Sequence, residues 1–100
     1  MSISASFQGK EIGVLAHLDV VPAGDGWNTD PWGGVITDKE IIGRGTLDDK
    51  GPIVACLYAM KILKDLNVPL SRRVRVILGT NEETDWRCMN YYINEVKPER

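Results

Sequence analysis

The sequence predicts an α/β fold, and three observations carry that expectation. Two runs, "EIGVLAHLD" (11–19) and "RRVRVILGT" (72–80), are rich in β-branched and aliphatic residues and read as strands. Between them, Ile53, Leu57, Met60, Leu63 and Leu66 recur at helical spacing. Strand, helix, strand is the order of a β-α-β unit, whose two strands lie parallel. A mixed, mostly parallel sheet with flanking helices is therefore expected.

Residues 2–8 ("SISASFQ") alternate weakly, and Gly9-Lys10 can turn that segment into the first buried strand as an antiparallel start. The run at 11–19 is nearly continuous in apolar residues, as a strand covered on both faces would be. "VPAGDGWNTDPWGG" is dense in Gly, Pro, Asp and Asn and reads as a long loop. "VITDKEIIGRG" predicts a short hairpin around Asp38-Lys39.

The helix is expected from Pro52 to about Asn67. Proline suits a first helical turn because it has no N–H to leave unpaired, and Val68-Pro69 stops the helix. Its apolar stripe is wide enough to pack on a sheet, and Cys56 falls inside it as a small core residue. The run 72–80 is the second buried strand, with Arg72, Arg73 and Arg75 on a solvated face. A second helix is expected to start near Thr84-Asp85 and run through "WRCMNYYINEV".

Composition narrows the function classes. One hundred residues make one modest domain, and 43% hydrophobic with 26% charged residues is ordinary for a globular chain. A net charge of −2 gives no electrostatic footprint for nucleic acid. No apolar stretch approaches the roughly 20 residues that span a bilayer, so no membrane partner is expected. The N-terminus lacks the basic-then-apolar pattern of a signal peptide. Cys56 and Cys88 form no C-x-x-C pair, and a reducing cytoplasm is the expected compartment.

The polar residues converge on this scaffold. His17 and Asp19 lie at the carboxyl end of the first buried strand, and Asp48 and Asp49 precede the helix. Asn81, Glu82 and Glu83 follow the carboxyl end of the second buried strand. Ligands of open α/β sheets bind beyond those strand ends. Each piece also has a structural explanation. Asp48 or Asp49 suits the N-terminus of the helix, and Thr80 to Glu83 fits a capping box.

Together, the only histidine and five acids arriving at one rim ask for a metal. His17 and Asp19, two apart on an extended chain, share a face, which suits a bound histidine oriented by a carboxylate. Paired acids are tolerable where divalent ions about 3.5–4 Å apart share them, and a neighbouring carboxylate can then take a proton from water. A P-loop, a calcium loop and a nucleophile elbow are all unsupported by the residue order.

"AHLDVVPAGDGW", "GRGTLDDKGP" and "GTNEETDW" resemble the aminoacylase, succinyl-diaminopimelate desuccinylase and carboxypeptidase G superfamily of dinuclear zinc hydrolases. Within it the resemblance is strongest to peptidase V-type dipeptidases, which cleave Xaa-His and other short peptides. It covers residues 12 to 92, with the three motifs in family order. The resemblance implies a zinc-peptidase-like catalytic domain of the phosphorylase/hydrolase kind, acting on a small peptide substrate. It implies two Zn2+ ions, with Mn2+ or Co2+ able to substitute. His17 would bind one ion, Asp19 would steady that histidine, and Asp48 would bridge both ions. Glu82 would be the general base and Glu83 a ligand of the other ion. A cis peptide between Asp48 and Asp49 is also implied, and Trp27, Pro31 and Trp32 are expected to line the loop near the site.

Ligand counting sets a limit. A catalytic zinc takes about three protein ligands, whereas His17, a shared Asp48 and Glu83 are too few for two ions. The resemblance implies a further carboxylate and a second histidine, and Asp85 and Glu95 fall too close behind Glu83 to supply the former. The whole of 1–100 is therefore expected to be a partial catalytic domain, with the lid domain and the C-terminal part of the catalytic domain outside it. Self-association through the apolar faces this uncovers is expected. Three functions follow: a segment of a dipeptidase, a segment of an N-acyl amino acid deacylase or carboxypeptidase, or a non-catalytic fragment whose motifs are inert. For the chain by itself, negligible peptidase activity is expected.

Overall fold

The computed structural model of the chain describes residues 11–96. The weakly alternating segment at 2–8 and the turn at Gly9-Lys10 lie outside the described residues. Strand β1 (Glu11–His17) leads into the long loop, which ends at a short hairpin of β2 (Val35–Ile36) and β3 (Ile41–Ile42). The hairpin pairs Val35 with Ile42 and Ile36 with Ile41, and the Thr37 N–H closes it on the Glu40 carbonyl at 2.9 Å. A wide turn over Thr46–Lys50 then feeds helix α1 (Gly51–Asp65). Strand β4 (Arg73–Gly79) follows, and helix α2 (Arg87–Tyr91) continues into a wide turn over Tyr92–Val96.

β1 and β4 pair in parallel, from Glu11 opposite Arg73 to His17 opposite Gly79. This is the expected β-α-β unit, with α1 as the crossover. Its register matters for function, because it brings the carboxyl ends of both strands to one level. Arg73 and Arg75 do not simply face solvent. Both grip the Glu11 carboxylate, at 3.0 Å from Arg73 Nη1 and 2.8 Å from Arg75 Nε. Cross-strand ion pairs of this kind pin the register at the amino end.

The packing is thinner than the sequence suggests. The Cα atoms fill a slab only 13 Å deep, which leaves little depth for a core. Of the α1 stripe, Ile53 and Met60 are buried, two turns apart on one face, while Leu57, Leu63 and Cys56 are half-buried. Leu66 is exposed, as are Val54, Tyr58 and Ile62. Strand β1 is likewise not covered on both faces: Ile12 and Leu15 are about half exposed, at 47% and 55%.

One element boundary also differs from expectation. α2 starts at Arg87 rather than at Thr84-Asp85, because the N–H groups of Thr84 and Trp86 both bond to the Asn81 carbonyl and hold 81–86 as a turn. Trp86 leaves that turn in a left-handed conformation (φ 58°). No capping box forms at Thr80 to Glu83, since no helix begins there. Among the described residues, no helix is long and apolar enough to cross a membrane.

Candidate metal centre

The centre is built where β1 and β4 end. His17 is the last residue of β1, buried at 7% exposure, and its neighbour Leu18 donates its N–H to Gly79 at the end of β4. A second segment, the turn at Thr46–Lys50, brings Asp48 and Asp49 against His17. The peptide between these two aspartates is cis, as the resemblance implies. A third segment, the turn after β4, carries Glu82 and Glu83.

Around the imidazole the distances are short. His17 Nδ1 lies 2.9 Å from the main-chain carbonyl oxygen of Asp19. Nε2 lies 2.9 Å from Asp48 Oδ1 and 3.9 Å from Glu82 Oε2. Both ring nitrogens thus face oxygens that only accept, an arrangement an imidazolium satisfies with both of its N–H groups. Burial alone pulls the His17 pKa down. The Asp19 carbonyl, the Asp48 hydrogen bond and the charges of Asp48 and Glu82 outweigh it, and the pKa lies above the ordinary 6.5.

Asp19 acts differently from the expectation that its carboxylate steadies His17. The contact to Nδ1 comes from its carbonyl, while the nearer carboxylate oxygen stands off at 3.6 Å. The carboxylate instead accepts the main-chain N–H groups of Glu82 at 3.2 Å and Glu83 at 3.1 Å. One residue therefore sets the ring orientation and also anchors the turn that bears the glutamates. Desolvation would raise the Asp19 pKa, but the N–H groups of Glu83 and Glu82, its own N–H and the charge of His17 bring it below the ordinary 3.8.

Asp49, which the sequence leaves as a possible helix cap, does not serve as one: among the described residues no side chain bonds the start of α1. Its Oδ2 accepts the His17 main-chain N–H at 3.2 Å instead. Sequence reasoning missed this tether, and adjacency to Asp48 was the only signal for it. Trp27 lines a groove that runs along Ile41–Thr46 to Asp48. It donates Nε1–H to the Ala23 carbonyl, with the Arg44 guanidinium over its ring at 5.3 Å. Pro31 contributes its carbonyl to the Arg44 N–H at 2.7 Å, and Trp32 is 61% exposed, so neither side chain lines that groove.

Among the described residues, His17, Glu82 and Glu83 form a group whose donor atoms all lie within 4.8 Å of one another. Two donors on one tetrahedral ion with bonds of about 2.1 Å sit about 3.4 Å apart. Nε2 of His17 stands 2.9 Å from Asp48 Oδ1, within about 0.5 Å of that value. The donor set is nitrogen and oxygen, as zinc and its near neighbours accept. The residues present thus fit one divalent ion.

The model of peptidase family M20/M25/M40 matches residues 13–100. The chain belongs to that family. Its relatives include "Putative dipeptidase YtjP" of Bacillus subtilis (strain 168), 59% identical over 81 residues, which are 81% of this chain and 18% of the relative. "Putative dipeptidase SSP1012" of Staphylococcus saprophyticus subsp. saprophyticus is 56% identical over 88 residues, 87% of this chain and 19% of the relative. "Putative dipeptidase SH1171" of Staphylococcus haemolyticus is 58% identical over 81 residues, 81% of this chain and 17% of the relative. The chain thus spans about a fifth of the length of these relatives.

Proposed function

We propose that this chain is the metal-binding segment of a dipeptidase, with His17, Asp48 and Glu83 as ligands and Glu82 as general base. Family membership and the names of the relatives support hydrolysis of short peptides. The observation that carries the residue assignment is the Nε2 atom of His17 set between Asp48 and Glu82, with Glu83 beside them.

A bound divalent ion, Zn2+ in the first instance and Mn2+ or Co2+ in its place, would act as a Lewis acid and lower the pKa of water. The chain's own residues do the rest. His17 offers Nε2 once its proton leaves, and the Asp19 carbonyl on Nδ1 keeps the ring from turning away. Asp48 and Glu83 would contribute anionic oxygens to a bound ion, Asp48 being the carboxylate a second ion would also use. Glu82, 37% exposed on its side chain, has the access to solvent that a base needs. Its carboxylate takes a proton from the attacking water and delivers it to the departing amine. Asp19 holds the main chain of Glu82 and Glu83, which fixes where that carboxylate starts from.

The donor set near His17 fits one ion rather than two, so the 100-residue chain by itself is expected to bind metal without turning over peptide. The test is a pair of assays on the chain and on a version extended to the length of its relatives. Metal binding by both, with dipeptide hydrolysis by the extended one, supports the reading. An extended protein that takes up metal and leaves dipeptides intact would refute the dipeptidase assignment.

A further inference from the structure

The Asp48 carboxylate is 73% exposed and has His17 as its side-chain partner, so packing does not hold it in place. The two residues that follow it have better-defined anchors. Asp49 Oδ2 accepts the main-chain N–H of His17 at 3.2 Å. Lys50 Nζ donates to the main-chain carbonyl of Leu18 at 3.0 Å. Strand geometry explains the first contact. The Leu18 N–H is spent on Gly79 of β4, so the N–H of His17, one residue earlier, points to the other edge of β1. There it needs a partner, and half-buried Asp49, free of any capping duty, supplies one. Gly45 leaves room for the second contact. It is buried with φ +89°, and a Cβ there would stand 2.9 Å from Lys50 Nζ and 2.7 Å from Val20 Cγ1.

We infer that Asp49 and Lys50 form a two-point clamp that holds Asp48 against His17, which makes both of them positioning residues for the metal centre. The clamp rests on the reading of His17 and Asp48 as ligands. Neither residue of the clamp is itself a ligand: one carboxylate oxygen and one ammonium are committed to main-chain groups on either side of the His17–Leu18 peptide. The clamp acts on the geometry of Asp48 alone, since β1 and β4 are paired independently of it along their full length.

The test combines site-resolved amide exchange with Co2+ titration followed by visible absorption, on the 100-residue chain. Asp49→Ala should speed exchange of the His17 amide at least tenfold while the Leu18 amide and the β4 amides keep their protection. It should also weaken Co2+ uptake about tenfold and alter the absorption envelope. Asp49→Asn, whose amide oxygen accepts the same bond, should restore both. Lys50→Met should weaken Co2+ uptake and Lys50→Arg should restore it. An unchanged His17 amide in Asp49→Ala, or a freed amide with unchanged Co2+ uptake, would overturn the clamp. If Asp49→Ala unfolds the chain, the Lys50→Met and Lys50→Arg pair decides by the same Co2+ readout. His17→Ala is the separate control: equal Co2+ uptake by it and the unaltered chain overturns the ligand reading, and the clamp with it.

Discussion

Gly51→Ala separates a local argument from a structural one by the sign of its effect. Gly51 is the first residue of α1, with helical dihedrals (φ −62°, ψ −54°). For a glycine in such a conformation, alanine ordinarily stabilises by about 0.4–1 kcal/mol, because it restricts the unfolded chain. The wide turn reverses that expectation. Its closing bond runs from the Gly51 N–H to the Thr46 carbonyl, and a Cβ on residue 51 would stand 2.4 Å from that same oxygen. Ordinary contact begins at 3.4 Å, so the turn bearing Asp48 must move by about 1 Å. The obstacle is backbone, not the tip of a flexible side chain, and overpacking of this kind costs about 1–3 kcal/mol. Gly51→Ala should therefore lower the urea midpoint of unfolding by a net amount on the order of 1–2 kcal/mol at constant m-value. Because Asp48 rides on the displaced turn, Co2+ affinity should fall as well. A variant with an unchanged or raised midpoint would show that the turn relaxes freely and that Asp48 is not held as described.

Glu82→Gln in a protein extended to the length of the relatives should lower dipeptide turnover by about 10²–10⁴-fold while metal content by elemental analysis stays the same; retained turnover would remove Glu82 from the role of base. Metal uptake by the chain should fall on acidification, because the ion competes with the Nε2 proton of His17. As the His17 pKa lies above 6.5, uptake should already decline above that pH, which a calorimetric titration series would register. Without metal the dependence runs the other way for folding. The raised His17 pKa contributes stability that is full below pH 6.5 and is lost as pH rises through the folded value. The lowered Asp19 pKa contributes stability that is present above 3.8 and is lost as pH falls through its folded value. Urea midpoints of the metal-free chain should thus be highest between those limits; a midpoint rising steadily from pH 6 to 8 would contradict the His17 contacts, and one unchanged as pH falls below 3.8 would contradict those of Asp19.

Much of this was legible in the sequence, and the reasons are physical. The β-α-β unit could be read because strand and helix leave different periodicities, and the hairpin because turn residues interrupt two short apolar runs. His17, Asp48, Glu82 and Glu83 could be placed together because strand ends and the loops after them share one rim of a sheet. The functions of main-chain groups could not be read. Residue types do not reveal that Asp19 uses its carbonyl on His17 and its carboxylate on two N–H groups, or that Asp49 serves the His17 N–H rather than α1. The thin core was hidden for a different reason. Apolar patterning tells which faces of β1 and α1 are suited to burial, not whether Ile12, Leu15 and Leu66 find anything to pack against. The start of α2 differs from expectation because Thr80 to Glu83 fits a capping box locally, while Asp19 takes the N–H groups of Glu82 and Glu83 and the Asn81 carbonyl takes those of Thr84 and Trp86.

The proposed function depends on His17 as a metal ligand supported by carboxylates from two separate turns. X-ray absorption of the chain loaded with one equivalent of Zn2+ addresses this most directly, because His17 is the only histidine in the sequence. One imidazole in the coordination sphere is expected, with oxygen donors completing it, and the imidazole signal should be lost in His17→Ala. Scattering from oxygen donors alone in the unaltered chain, or a spectrum unchanged by His17→Ala, would contradict that ligand role.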